Sequence, residues 1–125
     1  MATQPIVHID IPATDPKAAG VFYADVFGWQ VQTPPGMDDY PMFTADGGPG
    51  GGFPRAGQTV DQLTNTVGEP LVYLASQDIN SDLQRVQAHG GQTVLPKTAI
   101  AEYGWYAIFR DPSGNKIGLY TDRAS

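Results

Sequence analysis

The chain has 125 residues, one domain's worth of core, and a formal charge of −6 from 7 basic and 13 acidic residues. The basic residues form no cluster, which removes the electrostatic footprint of a nucleic-acid or anionic-membrane binder. Cysteine is absent, excluding disulfides, thiolate metal sites and a cysteine nucleophile, and with no leader pattern or apolar run of membrane length a cytoplasmic protein is expected.

Residues 5–12 alternate, with Val7, Ile9 and Ile11 on one face and His8 and Asp10 on the other, which predicts a half-buried strand. Asp15 and Pro16 supply an N-cap and a first-turn proline. Ala18, Ala19, Phe22 and Val26 follow at helical spacing until Gly28, so a helix is expected over 15–27. Strands are expected at about 29–33, 40–45 and 50–54. The glycine-rich run 47–52 has no following helix and no Lys-Ser/Thr pair, so it reads as turn and close-packed strand rather than a phosphate loop.

Residues 55–69 hold no period and fit an exposed connection. A strand at 70–76 leads to a second helix, capped by Asp78, carrying Ile79, Leu83 and Val86 on one face and closed by Gly90 and Gly91. His89, at its end, suits the helix dipole. Strands at 92–95, 105–110 and 116–121 follow, the last two joined by Asp111-Pro112-Ser113-Gly114-Asn115, which has the composition of a tight turn.

The two halves repeat. Val7-His8-Ile9-Asp10-Ile11, Asp15, Gly28 and Val31 stand 63 positions before Pro70-Leu71-Val72-Tyr73-Leu74, Asp78, Gly91 and Val94. Phe43, Gly48, Gly52 and Phe53 stand 66 positions before Phe109, Gly114, Gly118 and Leu119. A period near half the chain length means two copies of one supersecondary unit. The expected fold class is α+β, two tandem βαβββ modules at about 5–55 and 69–122 inside one domain spanning 1–125.

His8 seven residues before Asp15, Phe22-Tyr23 followed by Phe27-Gly28-Trp29, and Phe109-Arg110-Asp111-Pro112-Ser113-Gly114-Asn115 near the end give this tandem a specific likeness. It resembles the vicinal oxygen chelate superfamily of glyoxalase I, bleomycin resistance proteins and extradiol dioxygenases. The resemblance implies a cupped mixed sheet, the modules' open edges buried against each other or a partner, and hence a homodimer. It also implies a divalent ion held by residues of the first strand of each half and the last strand of one or both.

Position by position, that metal site is incomplete. His8 is the only matching ligand position; Leu71 stands at its counterpart, and Gly118 and Gly52 stand where carboxylates belong. Asp10 adds one donor on His8's face, short of the usual three protein ligands, so no cofactor is expected and a divalent metal is disfavoured. His8 and Asp10 are the candidate catalytic pair. His8, Leu71, Tyr73, Trp105, Gly118 and Tyr120 are the candidate ligand-binding residues, with open space expected beside the two glycines.

A cup without carboxylates but with aromatic residues points to a small, aromatic or drug-like organic ligand bound without metal. The alternatives are a lyase or isomerase, either metal-dependent with unusual ligands or metal-free with His8 as base, and an accessory protein-interaction subunit. Each residue also has a plain structural role open to it: His8 as a satisfied, partly buried histidine, and the aromatic residues as core.

Overall fold

The computed structural model describes residues 3–61 and 63–123. In chain order the elements are β1 (Ile6–Asp10), α1 (Pro16–Phe27), β2 (Gln30–Gln32), β3 (Met42–Thr44), β4 (Gly50–Gly52), β5 (Thr59–Val60), β6 (Leu63–Thr64), β7 (Leu71–Ala75), α2 (Ile79–Ala88), β8 (Gln92–Ile100), β9 (Gly104–Arg110) and β10 (Lys116–Asp122). They divide into two compact units, residues 8–71 and residues 3–7 with 72–123. Among the described residues no helix is long and apolar enough to cross a membrane.

The repeat is physical. Asp15 and Asp78 are both extended N-caps, and each carboxylate accepts from the backbone N–H three residues on, Ala18 at 3.2 Å and Ser81 at 3.1 Å. In the first unit the strands run β2-β3-β4-β1, with β1 parallel to β4 and the other neighbours antiparallel. The second runs β7-β10-β9-β8 in the same style, with β10 parallel to β7. Equivalent residues even share a register, since Asp10 pairs with Gly52 and Tyr73 with Gly118. The fold is α+β, built of tandem βαβββ modules.

Each unit has its own core. In the first, Ala13, Phe43 and Phe53 are buried, and Ile11, Ala19, Tyr23, Trp29 and Val31 pack on them. Trp29 stacks on Phe43 at 4.2 Å and on Tyr23 at 4.7 Å between ring centroids. Phe53 is fully buried, which contributes about 1.5–3 kcal/mol relative to exposure. In the second, Ile79, Leu83, Ala107 and Leu119 form the centre, flanked by Leu74, Trp105 and Phe109.

The glycines of β4 are there for close packing. A Cβ on Gly51 would overlap the Ile9 carbonyl and the Phe43 ring. The N-terminal segment belongs with the second unit: the Ala75 N–H donates to the Pro5 carbonyl at 2.9 Å, and Gln4 Nε2 donates to the Ala75 carbonyl and to buried Asp82, each at 2.8 Å.

Two stretches differ from expectation. Residues 55–69, expected to be featureless, include the small hairpin of β5 and β6, tied by Thr59 and Thr64 hydroxyls 2.8 Å apart. Strands of two residues are too short to show a period. β8 runs on to Ile100 rather than ending near Leu95; it lies at the end of its unit's strand order, and two register shifts between Thr93 and Thr98 accommodate Pro96.

Candidate functional site

Alternation along β1 turns His8 and Asp10 to the same side, and the turn-rich segment between β2 and β3 brings Tyr40 onto them. His8 Nε2 lies 2.9 Å from Asp10 Oδ1 and 2.7 Å from the Tyr40 hydroxyl. The same hydroxyl donates a short hydrogen bond to Asp10 Oδ1. The imidazole and phenol rings are 28° from parallel, with centroids 6.4 Å apart. Asp10 is only 9% exposed, so its charge is buried among these donors.

The triangle has chemical direction. With the phenol donating to Asp10, the Nε2 proton faces the carboxylate or the phenol oxygen, which leaves the lone pair of a neutral ring on Nδ1. Asp10 and the Tyr40 phenol together fix the direction of the His8 ring.

The open space expected beside Gly52 and Gly118 is not there. The Tyr40 ring lies over Gly52, where a Cβ would overlap its ring carbons and hydroxyl, and the Tyr73 ring lies over Gly118 in the same way. Two phenol rings fill the places where the family resemblance puts carboxylates. The donor set therefore does not fit the family's divalent ion: Leu71 has no lone pair to offer, and neither glycine has room for an acid. Among the described residues no group of three or more His, Cys, Asp or Glu is placed to hold a metal.

In the second unit Gly118 pairs with Tyr73, and Tyr120 pairs with Tyr106, whose ring is 6.5 Å from that of Tyr73. Leu71, half-buried, shares Tyr73's face of β7. Trp105 was expected with these residues and is on the opposite face. It packs against the Ile79, Leu83, Ala107 and Leu119 cluster, with Lys97 Nζ 5.0 Å and Arg123 Cζ 4.6 Å from its ring centroid. The aromatic residue sharing the Gly118 face on β9 is Tyr106, which sequence reasoning missed.

A cavity of about 520 Å³ also lies in the second unit, lined by Gln4, Ser76, Asp82, Arg85, Tyr120 and Asp122 among others. Burial, and secondarily Asp122, raise the Tyr120 phenol above its ordinary 10.0. His8 and Asp10 do not line this cavity. Its buried carboxylate, Asp82, accepts from Ser76 Oγ at 2.6 Å, from Gln4 Nε2 at 2.8 Å and from Arg85, a lock between chain segments.

A family model described as a glyoxalase-like domain matches residues 6–120. A Mycobacterium tuberculosis protein described as a glyoxylase is 29% identical, aligning 90% of this chain with 43% of that protein. An anthracycline biosynthesis protein of Streptomyces sp. (strain C5) is 30% identical over 89% of this chain and 44% of its own length. The chain thus spans less than half the length of both. A glyoxylase-like domain-containing protein of Didymella fabae is 28% identical over 93% of this chain and 92% of its own.

Among solved structures, a glyoxalase/bleomycin resistance protein/dioxygenase superfamily member from Vibrio splendidus 12B01 has a TM-score of 0.65 at 18% identity, covering 96% of this chain and all of that one. Methylmalonyl-CoA epimerase from M. tuberculosis has a TM-score of 0.71 at 16% identity, with 96% and 91% covered. At such identities the likeness is one of fold.

Proposed function

The chain belongs to the glyoxalase-like domain family of the vicinal oxygen chelate superfamily, and from that premise we propose that it binds a small aromatic organic molecule without the family's metal ion. The reading is one of resistance or sequestration. The observation that carries it is the Tyr40 ring seated on Gly52. It puts an aromatic ring where the family resemblance places a carboxylate, with its phenol joined to His8 and Asp10. Aromatic faces with a few fixed polar groups suit a planar ligand that stacks and takes one or two hydrogen bonds. The relative named for anthracycline biosynthesis supports a polycyclic aromatic ligand.

Titration with doxorubicin, followed by the ligand's own fluorescence, tests the reading. Saturable binding at one site per chain, weakened by Tyr40→Phe and indifferent to chelator, is expected. Binding that requires an added divalent ion, or that ignores Tyr40→Phe, would sink it.

A second reading has its own support. The His8 Nε2 contact with Asp10 is the arrangement of an oriented base, so a lyase or isomerase that removes a proton beside a carbonyl is the enzymatic alternative. Turnover abolished by both His8→Ala and Asp10→Asn would favour it.

A further inference from the structure

Residues 39–41 run beside 52–55, and the contacts alternate. Asp39 meets Arg55, the Tyr40 ring covers Gly52, and the Pro41 carbonyl accepts from the Phe53 N–H at 2.9 Å. Arg55 is itself fixed, because it forms a parallel bridge with Ala13, whose N–H donates to the Pro54 carbonyl at 2.9 Å and whose carbonyl accepts from the Ala56 N–H at 2.8 Å. From that anchor Nε reaches Asp39 Oδ2 at 2.6 Å, Nη2 reaches Oδ1 at 2.8 Å, and Nη1 donates to the Thr14 carbonyl at 3.0 Å. All three guanidinium nitrogens are used.

We infer that Arg55 is a positioning residue for the site: its two-pronged grip on Asp39 sets the neighbouring Tyr40 so that the hydroxyl meets His8 and Asp10. The inference rests on the reading of that triangle as the ligand site. A fork of two parallel bonds fixes direction as well as distance, whereas an exposed ion pair adds little to stability. Side chains of this pair are 43% and 47% exposed, so orientation is the larger part of what the contact supplies. A lysine at 55 would keep the charge and lose the fork.

The test needs no ligand for its first readout. The chain has two histidines, His8 and His89, so ring signals are few and assignable by NMR. The His8 signals should move in Arg55→Ala in the direction they move in Tyr40→Phe. The His89 signals should stay where they are. Arg55→Lys should give an intermediate shift, and the exchange Asp39→Arg with Arg55→Asp should restore much of the wild-type position. Asp39→Asn gives the same answer from the other partner should Arg55→Ala fold poorly.

For the second readout, doxorubicin affinity should fall about threefold to tenfold in Arg55→Ala, the size expected of an exposed contact acting through its neighbour. His8 signals unmoved in both Arg55→Ala and Asp39→Asn, while Tyr40→Phe moves them, would overturn the positioning role and leave the site standing. Doxorubicin affinity unmoved by Tyr40→Phe would instead overturn the site reading, with the His8 signals still deciding the role of Arg55.

Discussion

Tyr73 and Gly118 are register partners on parallel strands, and the ring of the first fills the space that any side chain on the second would need. Tyr40 and Gly52 stand in the same relation in the other unit, though there the ring comes from a turn rather than from the neighbouring strand. Gly118→Ala is therefore expected to cost about 1–3 kcal/mol by overpacking. Tyr73, only 8% exposed, should cost about 3–5 kcal/mol as Tyr73→Ala. Urea denaturation of both singles and the double variant should reveal coupling, the glycine change costing less once the ring is gone. Purely additive losses would mean that the two positions do not contend for the same space.

The Asp10 carboxylate is buried, and the Tyr40 hydroxyl donates to it. Tyr40→Phe should destabilise the protein by about 1–3 kcal/mol, the cost of losing a hydrogen bond to a buried acid. Pairing it with Asp10→Asn should recover part of that loss, because the charge that needed the phenol is then absent. Equal and independent losses would count against the triangle as a unit.

Metal content is a direct check. Protein purified without added ions is expected to carry less than one transition-metal ion per chain by elemental analysis, since Leu71, Gly52 and Gly118 supply no donors. One ion per chain, lost in His8→Ala, is the opposing result.

Acid and alkali should act on different groups. Arg55's hydrogen bonds hold the Asp39 carboxyl below its ordinary 3.8, and the Asn115 backbone and side chain do the same for Asp111. A lowered folded pKa gives stability that is present above the unfolded value and lost as pH falls through the folded one. Tyr120 runs the other way. Its phenol is raised above 10.0, so its share is intact below that value and lost as pH rises through the folded pKa. The denaturation midpoint should therefore be insensitive to these three groups between about pH 5 and 9. Asp111→Asn should flatten part of the acid limb, and Tyr120→Phe part of the alkaline limb. An alkaline limb unchanged by Tyr120→Phe would refute that assignment.

Self-association is expected too. Val21, Phe22, Val26 and Phe27 on α1 are more than half exposed, an apolar surface that a symmetric pair relieves. Sedimentation should find a homodimer at roughly tens of micromolar, the range for such contacts; a monomer there would argue against pairing.

The repeat made the architecture legible, because caps and strand faces are local: Asp15 and Asp78 announce their helices, and β-branched alternation announces β1. His8 and Asp10 were legible as neighbours for the same reason. Tyr40 was not, since it lies in a turn without period, 30 residues from Asp10, and reaches it only through tertiary folding. The signal available was the glycine run itself, which says that something approaches closely but not what. Trp105 shows a different limit. Counting back from the 111–115 turn puts Tyr106, not Trp105, opposite Tyr120, and a one-residue slip in that count exchanges the two faces of β9.

The two tryptophans fall one to each unit, in unlike settings. Trp29 lies sandwiched between Tyr23 and Phe43, and Trp105 is flanked by Lys97 and Arg123. Nature has thereby placed an optical probe in each half. Stacked rings couple their transitions and give Trp29 a near-ultraviolet dichroism of its own, while the cations around Trp105 tune the colour of its emission. Single-tryptophan variants would then report whether the halves melt as one cooperative body or in sequence, a question of inheritance as much as of energy for a chain assembled from two copies of one motif.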